Sequence, residues 1–278
     1  MTRVIIHAGF HKTGTTSLQR FLEINAEALA PHVRVILKPQ MEALAACARD
    51  CSNAMLPSTL MPRRLARAAF KKQFAALLKT TALEPNQTLL ISCEALVGRM
   101  PGRENIMAFD AAAGLAEDML TVATQHFGPD LNITFFYTTR AKDAWMRSAY
   151  THLLQQTKFT MSMDEFTTKY ARAGDLDVAI SNIAKAIAPL KPVVSRLEDT
   201  SPKHFGPASE LLELLNLPSE VIATLQSPLQ INRGIDAFEQ RKMMEFNLGT
   251  SEGEDLILQK RRFLRKRRNR LKRRLDSD

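Results

Sequence analysis

Long apolar stretches are missing from this sequence. It contains no run of about eighteen apolar residues, the length that a membrane-spanning helix needs. Its first residues leave no room for a signal peptide, because Met1 and Thr2 lead directly into the strand-like run 3–6. Both absences argue against a membrane-spanning or secreted protein, and we therefore expect a cytoplasmic one.

Cysteine is scarce as well. Cys47, Cys51 and Cys93 form neither a disulfide framework nor a metal-ligand pattern. The close pair lies in an alanine-rich stretch that is predicted to be helical. No metal site is therefore predicted, and the thiols are interpreted as buried or idle.

Basic and acidic residues balance over most of the chain. The sequence has 38 Lys and Arg against 29 Asp and Glu, but eleven of the basic residues lie within 260–274. The high isoelectric point therefore results from the C-terminal tail.

The length and composition of the chain suit a globular protein. The 278 residues, 45% of them hydrophobic, can bury a real core. We predict one globular domain over residues 1–250 and a basic amphipathic helix or tail over 251–278.

Short apolar runs alternate with helical patterns along the chain. The predicted strands are 3–8, 32–37, 89–92, 132–139 and 193–197. The predicted helices cover 15–29, 40–51, 63–81, 105–127, 143–156, 163–172, 176–188 and 208–216. Because parallel strands need crossover connections, this alternation predicts an α/β fold: a mostly parallel central sheet flanked by helices, of the P-loop nucleotide-binding type, with a helical C-terminal part. Ligands of such sheets bind beyond the carboxyl ends of the strands.

Residues 9–17, Gly-Phe-His-Lys-Thr-Gly-Thr-Thr-Ser, form the first motif. They follow the first predicted strand and open the first helix, where backbone N–H groups and the helix dipole favour a bound oxyanion. Gly9 and Gly14 can adopt a positive φ and allow a close approach, while Lys12 adds positive charge. The motif therefore predicts a phosphate-binding loop.

The position of its lysine separates this motif from the nucleotide triphosphatase loop. In that loop the lysine follows the second glycine, whereas here Thr15 stands there and Lys12 precedes Gly14. No clear apolar strand ends in an acidic magnesium ligand, so ATP or GTP hydrolysis is disfavoured. The form Gly-x-x-Lys-Thr-Gly-Thr-Thr-Ser resembles the 5′-phosphosulfate loop of sulfotransferases that depend on 3′-phosphoadenosine 5′-phosphosulfate (PAPS).

A second motif, Arg-Ala-Lys-Asp-Ala-Trp-Met-Arg-Ser-Ala-Tyr over residues 140–150, follows the predicted strand 132–139. It resembles the second signature of that family, above all of its bacterial-type members. The matching positions are Arg140, Asp143, Trp145, Ser148 and Tyr150. Arg140 offers a planar fork for a phosphate, and Ser148 can donate to the same group. The resemblance implies that both hold the 3′-phosphate of the nucleotide.

The two motifs together imply a PAPS-dependent sulfotransferase. Such an enzyme moves a sulfonate group from its co-substrate PAPS to a hydroxyl or amine of an acceptor, here an unidentified lipid, sugar or small molecule. Sulfonyl transfer requires no metal in principle. Arg233 is a further candidate, in a late segment that would close over the nucleotide. The predicted cofactor-binding residues are Gly9, Lys12, Thr13, Gly14, Thr15, Thr16, Ser17, Arg140, Ser148 and Arg233.

The catalytic candidates are Lys12, Glu94 and His11. Lys12 can stabilise charge on the sulfonate and the bridging oxygen. An acceptor hydroxyl also needs a base, for which the family uses His or Glu. Glu94 is the first choice, because it follows the predicted strand 89–92 at the edge where both motifs lie. It can equally be a capping or salt-bridging carboxylate. His11 is the rival, and it can instead stabilise the loop; His7 is predicted to face the core.

The tail combines helix formers with a thin apolar seam. Ile257, Leu264 and Leu271 repeat at seven residues, and Leu275 lies one turn further. The basic faces suit an anionic membrane surface, so we predict peripheral contact with the inner membrane surface through residues 256–275. Without aromatic interleaving, no specific nucleic acid is expected. A solvated helix without a dedicated partner is the alternative.

Two other function classes stay open. A P-loop kinase using ATP would need magnesium and would not require a 3′-phosphate. A protein that binds nucleic acid or an anionic surface through its tail would explain the charge of the tail, but it would leave both motifs without a role.

Overall fold

A five-stranded sheet with all strands parallel forms the centre of the protein. The computed structural model describes residues 1–228 and 234–275. The strands are β1 (Thr2–His7), β2 (Val33–Leu37), β3 (Thr88–Ser92), β4 (Leu131–Thr139) and β5 (Val193–Arg196). Their spatial order is β2-β3-β1-β4-β5. Helices flank the sheet, and the predicted α/β class with a helical C-terminal part is confirmed.

The chain divides into two compact units. The first combines Met1–Trp145 with Arg172–Ile231 and contains the sheet, and the second combines Met146–Ala171 with Asn232–Asp278. Helices of the first unit are α1 (Thr15–Ile24), α2 (Ala26–Leu29), α3 (Glu42–Asn53), α4 (Arg63–Lys79), α5 (Ala112–Phe127), α8 (Leu176–Ala186), α9 (Leu197–Thr200), α10 (Ser209–Leu215) and α11 (Ser219–Thr224). Helix α6 (Lys142–Gln156) begins in the first unit, and the second also contains α7 (Met163–Lys169), α12 (Ala237–Leu248) and α13 (Gly253–Leu275). The predicted boundary at residue 250 stays a prediction.

The central strands bring their carboxyl ends to one edge of the sheet. β1 pairs with β3 in a register that places His7 opposite Ser92. It pairs with β4 so that His7 lies opposite Phe136, and β4 continues from there to Thr139. The loop after β1, the segment after β3 and Arg140 after β4 therefore lie at the same edge.

The middle strands also form the core. Ile5 of β1 and Leu90 of β3 are fully buried, as expected for apolar strands that are covered on both faces. Helix α1 packs Leu18, Phe21 and Leu22 into the same cluster. Each fully buried side chain of this kind contributes about 1.5–3 kcal/mol. The loop between β1 and α1 is thus anchored on both sides by the core.

One predicted helix begins later than the sequence suggests. The pattern over 105–127 predicts a single helix, but α5 begins at Ala112. Gly102, Glu104 and Asn105 have a φ of 89°, 49° and 63°. Residues in this left-handed region cannot continue a right-handed helix. The predicted first turns therefore do not form, and Phe109 is buried in this irregular segment against Phe10 and Trp145.

In the second unit, two side chains cap the end of α6. Asn247 Nδ2 donates to the carbonyl oxygens of Leu154 at 3.2 Å and Phe159 at 2.7 Å. Lys260 Nζ donates to those of Leu154 at 2.8 Å and Thr157 at 2.7 Å. Leu154 lies in the last turn of α6, whose carbonyls have no partner within the helix, and Thr157 and Phe159 follow the end of the helix. These contacts therefore satisfy carbonyl groups that would otherwise be costly to bury.

The predicted C-terminal helix is present as α13, but its buried stripe differs from the predicted seam. Leu256, Lys260 and Leu264 are buried, whereas Ile257 is partly exposed. The side chains of Leu271 and Leu275 lie outside the described part. In the described ranges, no helix combines the length and the apolar character needed to cross a membrane.

Candidate functional site

The loop between β1 and α1 has a backbone that few residues can form. Lys12 has a φ of 69°, and Gly14, the N-cap of α1, has a φ of 93°. This left-handed region costs a non-glycine residue about 1–2 kcal/mol. At Gly9 the constraint is space, because a Cβ would lie 2.7 Å from both His7 Nε2 and Thr15 Oγ1. Strand, loop and helix therefore meet too closely at Gly9 for any side chain.

The Thr13 side chain supports the loop from inside. It is fully buried, and its hydroxyl donates to the Phe10 carbonyl oxygen at 2.5 Å while the Thr138 hydroxyl lies 2.7 Å away. The Thr15 hydroxyl also faces the Phe10 carbonyl, at 3.5 Å, whereas Thr16 is exposed. What Thr13 offers a ligand is thus its amide.

Six consecutive backbone amides, from His11 to Thr16, donate to no backbone carbonyl within the described residues. They surround the N-terminus of α1, where the helix dipole adds partial positive charge. An oxyanion placed there would accept several hydrogen bonds from the backbone. The sequence predicts this arrangement for a phosphate group.

Side chains of the second motif reach the loop directly. Arg140 Nη1 donates to the Lys12 carbonyl oxygen at 3.3 Å. Trp145 Nε1 donates to the His11 carbonyl oxygen at 2.8 Å. Arg140 also lies 3.8 Å from Glu198 on α9. The two motifs, far apart in sequence, are therefore joined through the loop backbone.

Phe109 links the same parts from the apolar side. Its ring lies 4.8 Å from Phe10 and 6.0 Å from both His11 and Trp145, measured between centroids. The planes of Phe109 and His11 differ by only 18°, so these rings stack. Phe109 and the buried Trp145 thus fix the position of the His11 ring.

Positive charge is concentrated around Lys12. Burial lowers the pKa of its ammonium group, and the neighbouring Arg140 and Arg103 guanidinium groups lower it further. Like charges held together in a half-buried site favour the approach of an anion. The positive electrostatic potential of these side chains adds to that of the unpaired backbone amides of residues 11–16.

Glu94 begins a short 3₁₀ turn directly after β3. Its Oε1 accepts a hydrogen bond from Lys38 Nζ at 3.0 Å, and Gln19 Nε2 lies 3.4 Å from Oε2. Burial raises the pKa of Glu94, but the Lys38 ammonium group more than offsets this effect through its charge and its hydrogen bond, so the net pKa lies below its ordinary value. Glu94 is consequently an ionised carboxylate that already has a cationic partner.

His11 interacts electrostatically with Glu94. Burial lowers the pKa of the His11 imidazole, although the Glu94 carboxylate opposes the shift. The ring is therefore neutral at neutral pH. Its Nδ1 is buried and has no hydrogen-bond partner among the described residues. The hydrogen-bonding capacity of this ring nitrogen is therefore unused within the described residues.

His7 faces the core, as predicted. It is fully buried, and its Nδ1 lies 2.8 Å from Ser92 Oγ. Burial lowers the pKa of His7 to about 4. The ring packs against Phe136 with centroids 5.2 Å apart, so its surroundings are those of a neutral structural histidine.

Two of the predicted site residues lie outside the described part of the first unit. Ser148 is half-buried on α6, in the second compact unit. Arg233 lies outside the described residues. The cofactor roles of both stay predictions.

Sequence reasoning missed three charged neighbours of the loop. Glu198 follows the end of β5, so the position rule that singled out Glu94 would have found it. Lys38 follows β2 in the same way. Arg103 lies in the irregular loop before α5 and carries no such signal.

Within the described ranges, no group of three or more His, Cys, Asp or Glu could hold a metal ion. No protein-family model matches the chain, and no curated protein matches its sequence. Among solved structures it is similar to a proposed kinase from Chloroflexus aurantiacus j-10-fl, determined at 1.70 Å. That likeness covers 70% of this chain and 86% of the other, with 12% identity and a TM-score of 0.31. A likeness this distant carries no functional argument.

Proposed function

We propose that this chain is a PAPS-dependent sulfotransferase, an enzyme that transfers the sulfonate group of PAPS to a hydroxyl or amine of an acceptor. The observation that carries the proposal is the contact of the two motifs, in which Arg140 donates to the Lys12 carbonyl oxygen. A loop with free amides suits one phosphate, and a neighbouring strand-end arginine suits a second. A nucleotide with phosphates at its 3′ and 5′ positions needs both.

In this proposal the loop binds the 5′-phosphosulfate. The backbone amides of residues 11–16 and the Lys12 ammonium group contact its oxygens, and the hydroxyls of Thr16 and Ser17 are placed at the start of α1 to add donors. Arg140 binds the 3′-phosphate, with Ser148 and Arg233 as the proposed further contacts.

Transfer then needs little beyond positioning and charge stabilisation. The acceptor oxygen forms a bond to sulfur while the bond between sulfur and the bridging oxygen breaks, and the electron pair stays on the 5′-phosphate. Lys12 and the amides stabilise the charge that develops on that phosphate. The proton of the acceptor passes to a base. No step in this sequence uses a metal ion.

The base is proposed to be Glu94, with His11 as the alternative. Glu94 is ionised, as a base must be, and its carboxylate lies near enough to the His11 imidazole to affect the pKa of that ring. We expect Glu94→Gln to bind nucleotide normally and to lose turnover by about 100-fold or more. Near-normal turnover of this variant would show that Glu94 is not the base. The variant His11→Gln would then test whether His11 is.

Calorimetric titration with adenosine 3′,5′-bisphosphate, beside AMP and ATP, tests the proposal. We expect micromolar binding of the bisphosphate and much weaker binding of AMP. Arg140→Ala should weaken bisphosphate binding by at least about tenfold, which is about 1.4 kcal/mol. Arg20→Ala is the matched control, because Arg20 is exposed on α1 and pairs with Glu23.

Magnesium-dependent ATP binding that equals or exceeds bisphosphate binding would contradict the proposal. It would favour phosphoryl transfer by a P-loop kinase instead. Equal binding of AMP and the bisphosphate would show that no 3′-phosphate is recognised.

For α13 we propose contact of residues 256–275 with an anionic membrane surface, which would place a cytoplasmic enzyme at the inner face of the membrane. The exposed side chains of Arg262, Arg265 and Lys266 support this, because each basic group near lipid contributes about 1 kcal/mol. Failure to sediment with phosphatidylglycerol vesicles at low salt would remove the proposal.

A further inference from the structure

The arginines of α13 differ in what they contact. Arg267 is paired within the second unit: its Nη2 lies 2.6 Å from Asp236 and its Nε 3.4 Å from Glu239, at the start of α12. Its guanidinium carbon also lies 4.5 Å from the centre of the Phe238 ring. The charge of Arg267 is therefore used in packing α13 against α12.

Three other arginines face a groove. Arg261, Arg265 and Arg268 follow each other at steps of four and three residues, which places them on one face of the helix. With Leu264 and the end of α6 at Gln155 and Gln156, they line a groove of about 380 Å³. This volume is in the range of small-ligand sites.

Lys260 also lines the groove, but its charge is already committed. It is fully buried, and its ammonium group donates to the carbonyl oxygens of Leu154 and Thr157. It therefore offsets the negative end of the α6 dipole. The guanidinium groups of the three arginines remain for a ligand.

No carboxylate balances these arginines in the described part of the chain. The groove lining contains neither Asp nor Glu, and no salt bridge among the described residues includes Arg261, Arg265 or Arg268. Among the side chains that the structure describes, their one polar contact is from Arg261 Nη2 to Gln156 Oε1, at 3.5 Å. Like charges four residues apart destabilise a helix by about 0.2–0.5 kcal/mol. A bound anion would remove this repulsion.

We propose that this groove binds a phosphate or sulfate monoester group. Guanidinium groups hold the oxygens of such a group with paired hydrogen bonds, and three of them converge here. The side-chain amide of Gln156 adds donors, and Leu264 offers apolar contact to the carbon next to the ester. The site lies wholly in the second unit and does not depend on the proposed sulfonyl transfer.

Titration of the full-length protein with phenyl phosphate at low salt tests the groove. The variant Arg265→Gln/Arg268→Gln removes two of its cations and keeps good helix formers in place. We expect it to weaken binding at least tenfold. The control Arg262→Gln/Lys266→Gln removes the same charge from the same helix, at exposed positions outside this groove. It should change the affinity by less than twofold. Unchanged thermal unfolding would show that both variants are folded.

Vesicles with phosphatidic acid identify the source of the group, since they carry a phosphomonoester on a lipid. Selective loss of vesicle binding in the groove variant assigns the site to a lipid headgroup. Equal vesicle binding by both variants, with phenyl phosphate binding still dependent on the groove, assigns it to a soluble ester. If both variants lose phenyl phosphate equally, or the wild type does not bind it, the proposal is wrong. Duplex DNA serves as a polyanion control. If both variants lose DNA binding equally and neither loses phenyl phosphate binding selectively, the helix binds polyanions nonspecifically and the proposal is wrong.

Discussion

The loop in the first unit and the groove in the second are both rich in positive charge, but they are built differently. In the loop, the amides of residues 11–16 lie at a helix N-terminus, and Lys12 and Arg140 are half-buried beside them. In the groove, regular helix carries exposed arginine side chains. The first can recognise the shape of a ligand through its backbone, whereas the second recognises mainly charge and should respond more strongly to salt.

The same contrast holds for what supports each site. Buried neighbours hold the loop: Gly9 admits no side chain, Thr13 is bonded inside, and Trp145 donates to the His11 carbonyl oxygen. Of the four cations that line the groove, Lys260 is the one that is buried and bonded to backbone carbonyls. Backbone changes should therefore damage the first site most, and side-chain changes the second.

Replacement of Gly9 should have the largest effect on either site. In Gly9→Ala the new Cβ would contact His7 Nε2 and Thr15 Oγ1 inside van der Waals distance, so the loop has to shift. We expect bisphosphate binding to fall about 100-fold, or about 2.8 kcal/mol, measured by calorimetry.

The matched control is Gly114→Ala on α5, where a Cβ would make only ordinary contact with Arg67. It should leave binding unchanged and stabilise the protein by up to about 1 kcal/mol, because alanine favours the helix. Normal bisphosphate binding by Gly9→Ala would show that the close contact at this position does not shape the site.

Removal of the Lys260 charge should have the next largest effect, and on stability. Lys260→Met keeps the apolar stem but leaves the Thr157 carbonyl oxygen without the ammonium donor. We expect the free energy of unfolding to fall by about 1–3 kcal/mol in chemical denaturation. Lys266→Met, at an exposed position, should change it by less than about 0.5 kcal/mol. Equal stability of both variants would contradict the capping role of Lys260.

The last expected effect is the pH dependence of that stability, which develops only above neutral pH. Burial lowers the pKa of Lys260 from 10.5 to about 8. Between these values the unfolded chain binds more protons than the folded chain, so the free energy of unfolding rises with pH. The difference between wild type and Lys260→Met should therefore be constant below pH 8 and grow above it. Parallel curves from pH 7 to 10 would contradict this shift.

The sheet and the loop could be predicted from sequence because their signals are local. The run at Val4–Ile6 is β-branched, and Gly9 and Gly14 mark the turn into α1. Parallel connectivity then places Glu94 and Arg140 at the edge of the sheet where the loop lies. These inferences need only chain direction and strand ends.

What could not be predicted depends on contacts between distant residues. The stacking of Phe109 on His11 joins segments that no spacing relates. The predicted seam of α13 was right at Leu264 but wrong at Ile257, because apolar periodicity cannot include a buried lysine and Lys260 occupies the buried stripe. A lysine enters such a stripe only where free carbonyls, here at the end of α6, receive its charge.

A crystal structure with adenosine 3′,5′-bisphosphate tests the central claim most directly. The account predicts the 5′-phosphate within hydrogen-bond distance of the amides of residues 11–16, and the 3′-phosphate about 3 Å from the Arg140 guanidinium group. A nucleotide bound only in the groove of α13, with the loop left empty, would contradict it.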